Sequence, residues 1–195
     1  MSATPNPPQS GEWTVAGLTR LPPDLRYELI NGRLVILASP TFMHQEICLA
    51  VYEALKRNCP RGLRPALDLS LRVDDRNEPR PDVLVANPAR GRRTPLPIED
   101  AVVVAEVVSP TSTIRDQRDK VELYARAGVK AYWLIDPYHD RLVLTEWTLV
   151  GDAYQITAKT DGVFTTEVPW PVTLDLPALL RHCNELFGPP EDDAP

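Results

Sequence analysis

The feature that most constrains this chain is a run of eight residues, Ala101-Val102-Val103-Val104-Ala105-Glu106-Val107-Val108, apolar everywhere but at Glu106. A strand exposed on one face alternates apolar and polar residues. A run that is apolar throughout and rich in valine needs cover on both faces, so it belongs at the centre of a layered α/β sheet. Its one carboxylate is costly to bury without a partner. Three partners would serve: a buried Arg or Lys, solvent at a strand end, or a bound divalent cation.

The surrounding elements follow from local patterns. Ala131-Tyr132-Trp133-Leu134-Ile135 reads as a second buried strand. Between the two, Thr113 and Asp116 resemble a capping box, opening a helix that runs to about Arg126 and ends at Gly128. Strand, helix and strand in this order make a right-handed crossover. Upstream, Asn31-Gly32 separates Tyr27-Glu28-Leu29-Ile30 from Arg33 to Leu37, the pattern of a type I′ hairpin with Glu28 and Ile30 on one face. Ile47, Ala50, Val51, Ala54 and Leu55 form one stripe of a helix from His44 to about Arg57. Leu67 to Val73 and Asp82 to Ala86 read as strands. Asp74 to Pro81 and the basic segment Arg90 to Asp100 read as loops. Leu142 to Leu149 alternates as an edge or half-exposed strand does. A short hairpin around Asp161-Gly162 and a helix near Pro177 to Phe187 complete the chain.

Length and composition set bounds. A chain of 195 residues suits one domain, here 13–187, and the proline-rich ends, 1–12 and 188–195, read as flexible tails. Cys48, Cys59 and Cys183 lack a CxxC spacing and read as reduced thiols, with Cys48 on the apolar side of its helix. Neither a signal peptide nor a membrane-length apolar stretch is visible, which places the expected site of action in the cytoplasm. The net charge of -6, from 27 acidic and 21 basic residues, argues against coating nucleic acid through bulk charge. A local basic groove stays open.

Three carboxylates hold the chemical interest: Glu28 on the hairpin, Asp82 at a strand start and Glu106 in the apolar run. Taken singly, Glu28 reads as a solvated hairpin residue and Asp82 as a strand-entry residue. Taken together on neighbouring elements, they form a hard-oxygen set of the kind Mg²⁺ prefers. Lys120, with Asp116 and Tyr124 four residues to either side, is either a surface partner of Asp116 or the cation of such a site. His44 either occupies the first turn of its helix or reaches the same site. His139 and His182 have no partners at ligand spacing, so zinc is not expected. Arg115 and Arg118 could contact phosphates beside the site. The tryptophans at 13, 133, 147 and 170 read as core or interface residues.

Pro81-Asp82 followed by Glu106 on a hydrophobic strand resembles the PD-(D/E)xK nuclease pattern. More specifically, five ordered segments resemble the bacterial Uma-type restriction-endonuclease family. They are Tyr27 to Leu34, Ser39-Pro40 with His44-Gln45, Arg80 to Val83, Val104 to Ser112, and Asp119-Lys120 through Tyr124 to Pro137. The resemblance implies a restriction-endonuclease-like mixed β-sheet flanked by α-helices, with an N-terminal β-hairpin. It implies Mg²⁺-dependent hydrolysis of DNA phosphodiester bonds, with Mn²⁺ able to substitute, by a homodimer. Asp82 and Glu106 would be the metal ligands and Glu28 the carboxylate completing the shell. Val108 stands where the simple pattern has lysine, so the resemblance assigns the cation to Lys120 on the following helix. The alternative is a catalytically inactive nuclease-fold protein that binds nucleic acid or a protein partner. On the metal-dependent nuclease reading the charge balance changes meaning. With the three site carboxylates and Glu191, Asp192 and Asp193 of the tail set aside, 21 acidic residues face 21 basic ones. DNA binding without metal should then be weak.

Overall fold

The computed structural model of the protein describes residues 13–109, 114–137 and 140–188, with side chains in the helix that starts at Ile114 described from residue 118 onward. The expected tails, apart from Gly188, and the Thr113–Asp116 cap lie outside these residues. In chain order the elements are α1 (Val15–Leu18), β1 (Tyr27–Ile30), β2 (Arg33–Ile36), α2 (Phe42–Arg57), β3 (Arg64–Leu67), β4 (Leu71–Arg72), β5 (Val83–Ala86), β6 (Leu96–Pro97), β7 (Ala101–Val107), α3 (Ile114–Arg126), β8 (Ala131–Asp136), β9 (Val143–Val150), β10 (Ala153–Thr160), β11 (Val163–Thr166), β12 (Val172–Asp175) and α4 (Leu176–Phe187).

Six strands form the central mixed sheet, in the order β10-β9-β8-β7-β5-β3. The valine-rich run is β7, and it pairs antiparallel with β5 and parallel with β8. The parallel pair is joined through α3, as the crossover reading expects. Successive β7 side chains point to opposite faces. Val103, Ala105 and Val107 pack with Ile47, Val51 and Leu55 of α2 and with Leu176 and Leu179 of α4. On the other face Val104 packs with Tyr132 of β8 and Tyr124 of α3. Each fully buried Val, Leu or Ile side chain contributes roughly 1.5–3 kcal/mol relative to exposure, so the covered strand is the mechanical centre of the fold. Trp133 of β8 is fully buried, edge-on to Phe164 at 5.1 Å, and its Nε1 donates to the buried Glu146 at 3.1 Å.

Helix α2 begins where Thr41 Oγ1 accepts the His44 backbone N–H at 3.2 Å, two residues before the expected start. The hairpin forms as its sequence requires, with Asn31 at φ 51° and Gly32 at φ 76° in the turn. It stays outside the central sheet as a separate pair, packed through Leu29 onto Val15 and Leu18 of α1. Among the described residues no helix is long and apolar enough to cross a membrane.

Two sequence expectations need correction and a third narrows. The strand expected over 67–73 is two short ones, because Asp68 takes a left-handed φ of 55° and turns the chain between β3 and β4. Aspartate tolerates that conformation better than most residues, and two arginines hold its side chain there. Of the two readings of 142–149, edge or half-exposed, the second holds: β9 alternates buried and half-buried residues, while β10 pairs along it, with an irregularity between Ile156 and Ala158, and takes the edge position. The arms around Asp161-Gly162 belong to different pairs, since β10 pairs with β9 and β11 with β12.

Gly32→Ala should destabilise the protein by about 1–2 kcal/mol, the cost of a Cβ in left-handed backbone. Urea denaturation should show this as a lowered midpoint with an unchanged slope.

Candidate active site

The β5–β7 register fixes the first two carboxylates. Val83 pairs with Ala105 in antiparallel order, so one step further Asp82 faces Glu106 across the strands. Like charges directly opposed on a sheet repel, and the structure shows what offsets them. Asp82 Oδ2 accepts the Val107 backbone N–H at 2.8 Å. Glu106 Oε1 accepts from the Lys120 Nζ at 3.0 Å and from the Tyr124 hydroxyl at 3.1 Å. Lys120 and Tyr124 lie one turn apart on α3, which presents both to the same strand.

Glu28 arrives from the hairpin. Leu29 and Glu78 exchange backbone hydrogen bonds of 3.0 and 2.8 Å, tying β1 to the segment that leads into Asp82. Glu28 Oε1 then accepts the Arg80 backbone N–H at 2.9 Å and the Lys120 Nζ at 2.9 Å. Glu28, Glu106 and Lys120 are 5%, 8% and 9% exposed. The hairpin carboxylate is therefore buried rather than solvated, and Lys120 faces the carboxylates rather than water.

The charges are unequal, and protonation follows. Burial pushes the Glu106 carboxyl up to about 8, with Glu28 and Asp82 adding to the rise and Lys120 opposing it. Burial alone would lower the Lys120 ammonium, but Glu106 and Glu28 outweigh it and hold the group above the ordinary lysine value. Glu106 is thus the carboxyl that burial and its neighbours make hardest to ionise, and Lys120 is the cation that offsets it.

These residues line a cleft of about 600 Å³. Its lining includes the apolar Val35, Leu37, Pro40 and Met43 and the basic Arg26 and Arg80. Both guanidiniums bind Asp68: Arg26 Nη2 and Arg80 Nε each reach Oδ1 at 2.7 Å. Burial would raise the Asp68 carboxyl, yet Arg80 and Arg26 keep it below its ordinary value. From α2, His44 Nε2 lies 3.4 Å from Asp82 Oδ2, and its Nδ1 lies 3.5 Å from Cys48 Sγ. The hydrogen bond with Asp82 raises the imidazole above its ordinary value, against the effect of burial.

The structure thus brings together Glu28, Asp82, Glu106, Lys120 and His44 around one cleft. It does not gather the three carboxylates as a tight set. Among the described residues, the potential ligands whose atoms all lie within 4.8 Å of one another are His44, Cys48 and Asp82, because Lys120 bridges Glu28 and Glu106. Arg118 is exposed and does not line the cleft, and the Arg115 side chain lies outside the described residues. Arg90, in the basic loop, is tied to Asp100 and Glu99. His182 lies 3.7 Å from Glu46, and His139 is outside the described residues. Sequence reading missed Arg26, Asp68 and Cys48. Only Cys48 carried a signal, its i, i+4 spacing from His44.

A mixed sheet flanked by helices, with carboxylates opposed on its central strands and a hairpin against it, is a restriction-endonuclease-like α/β architecture. The chain belongs to the Uma2 family, described as "Putative restriction endonuclease", whose profile matches residues 15–178. Among solved structures it is similar to a "putative nuclease belonging to DUF820" from Anabaena variabilis. That likeness has a TM-score of 0.65 at 17% identity and covers 87% of this chain and 98% of the other. At that identity the likeness is one of fold. No curated protein matches the chain.

The raised Glu106 carboxyl gives a pH signature. The folded state holds a proton that the unfolded chain releases, so metal-free protein should lose stability as pH rises from the ordinary 4.5 towards about 8. Lys120, charged throughout this window, adds no slope. His44, raised by Asp82, adds a slope of the same sign, so Glu106→Gln should reduce the dependence without abolishing it, as melting temperatures across pH 5–9 would reveal. Lys120→Met leaves two buried carboxylates without their cation and should cost about 3–5 kcal/mol.

Proposed function

We propose that the protein is a Mg²⁺-dependent endonuclease that hydrolyses DNA phosphodiester bonds, with Mn²⁺ able to replace Mg²⁺. It acts in the cytoplasm as a homodimer, since cutting both strands calls for two sites. The observation that carries this reading is the Lys120 ammonium seated on Glu28 and Glu106 beside Asp82. The set supports a PD-(D/E)xK site in which α3 delivers the lysine, while Val108, one residue past β7, stands where the simple pattern has lysine.

The donor chemistry fits a hard cation. Carboxylate oxygens face each other on adjacent strands, and their negative charge exceeds what Lys120 supplies. Asp82 and Glu106 would hold the ion, and Glu28 would complete its shell or fix its water. Such an ion supplies an acidified water and a Lewis acid for a phosphoryl oxygen. Glu106, whose carboxyl burial raises, would have to be ionised to serve as a ligand. Lys120 would orient the attacking water or neutralise charge developing on the phosphate. His44 holds Asp82 in place as an accessory residue. Arg26 and Arg80, fixed by Asp68, grip phosphate oxygens at the cleft, with Arg115 and Arg118 serving the flanking backbone. The apolar lining keeps bulk water from the reacting phosphate.

The alternative, a catalytically inactive nuclease-fold protein that binds nucleic acid or a protein partner, expects Lys120 to face solvent. Its burial on two carboxylates favours catalysis.

Calorimetric titration with Mg²⁺ should give saturable heat for the wild type and none for Asp82→Ala or Glu106→Ala, while circular dichroism shows all three folded. Nicking of supercoiled DNA should fall by on the order of 100-fold or more in both variants. Equal Mg²⁺ heats in wild type and Glu106→Ala, with no nicking by either, would sink the proposal.

A further inference from the structure

We infer that His44, Cys48 and Asp82 form a binding site for a divalent transition metal of the zinc class, beside the carboxylate–lysine cluster and distinct from it in ligand chemistry. His44 and Cys48 lie one helical turn apart on α2 and so project from the same face. Asp82 meets them from the start of β5. The three ligand atoms all lie within 4.8 Å of one another, and His44, Cys48 and Asp82 all line the same cleft. The His44 Nε2 to Asp82 Oδ2 separation is 3.4 Å. Zinc bonds of about 2.0–2.2 Å to nitrogen and oxygen, in a tetrahedron, put those ligands roughly 3.3 Å apart. The pair stands at the edge length of such a site; Cys48 Sγ lies 3.5 Å from the other ring nitrogen, Nδ1, so a change of side-chain rotamer brings the thiol to the same ion.

The ligand types decide the ion. A thiol and an imidazole favour Zn²⁺, Co²⁺ or Fe²⁺ and are poor ligands for Mg²⁺, which prefers oxygen. Three protein ligands also leave a fourth tetrahedral position open to the cleft. On binding, the Cys48 S–H bond is replaced by a sulfur–metal bond and its proton leaves to solvent. The second shell is partly built, because Asp82 Oδ2 is held by the Val107 N–H at 2.8 Å. An ion here draws on Asp82, so it would compete with Mg²⁺ for that carboxylate. The inference does not depend on nuclease activity, only on these three side chains.

Cobalt is the probe, because a cysteine thiolate bound to Co²⁺ gives a charge-transfer band in the near ultraviolet. Titration of the full metal-free chain with CoCl₂ should produce the band at one equivalent, together with visible bands of tetrahedral intensity, and Zn²⁺ should abolish both. Cys48→Ser should lose the near-ultraviolet band. His44→Gln should bind Co²⁺ more weakly by over the roughly tenfold that even an outer-shell partner contributes. No band in the wild type, or a band that persists in Cys48→Ser and so arises from Cys59 or Cys183, would overturn the inference. If circular dichroism shows Cys48→Ser unfolded, His44→Gln decides, and unchanged cobalt affinity there overturns it. A cobalt band alongside absent Mg²⁺ binding would refute only the nuclease reading, and the reverse result would refute only this one.

Discussion

One ammonium group holds the functional end of this protein together. Lys120 Nζ touches Glu28 and Glu106 at 2.9 and 3.0 Å, and through them it joins the hairpin, the central strand and the crossover helix. Without that cation the two carboxylates would face one another in a buried place, where repulsion is screened least. With it, the strand can carry a charge in its apolar run and α3 has a fixed rotation against the sheet. Tyr124, one turn on, reinforces the rotation by donating to the same Glu106 oxygen.

Breaking a buried ion cluster is far more damaging than its net contribution suggests. An arrangement of this kind persists where specificity of packing or of chemistry favours it over an apolar core of similar volume. Here three carboxylates, Glu28, Asp82 and Glu106, stand beside one lysine, so the cluster has capacity for further positive charge. The cleft beside it is lined by two arginines that are already oriented by Asp68, so charge of both signs lines one cleft.

Much of this was legible in the sequence, for identifiable reasons. The β7 run and the Asn31-Gly32 turn are local patterns with few structural solutions, and both elements formed as read. Glu106 stood out because it interrupts a run that must be covered. The burial of Glu28 was not legible, since it depends on the Leu29–Glu78 bridge between segments far apart in the chain. Asp68 was read as part of a strand because its left-handed turn is stabilised by Arg26 and Arg80, which reach it only in the folded protein. The choice between edge and half-exposed for β9 was open for a similar reason. Alternation along β9 marks unequal faces, but it carries no information about whether β10 will pair beside it.

The contact between Glu28 and Lys120 spans 92 residues of chain. Closing so long a loop is entropically costly and tends to come late, after local hairpins and helices exist. Asp82 and Glu106 can oppose each other once β5 and β7 pair, but the hairpin and α3 must also dock before the cluster is complete. A nascent or half-folded chain therefore carries the ingredients of the cleft without its assembled charges. Whatever chemistry the cleft performs is restricted to molecules that have finished folding, a restriction written into the order of contacts rather than into any separate inhibitor.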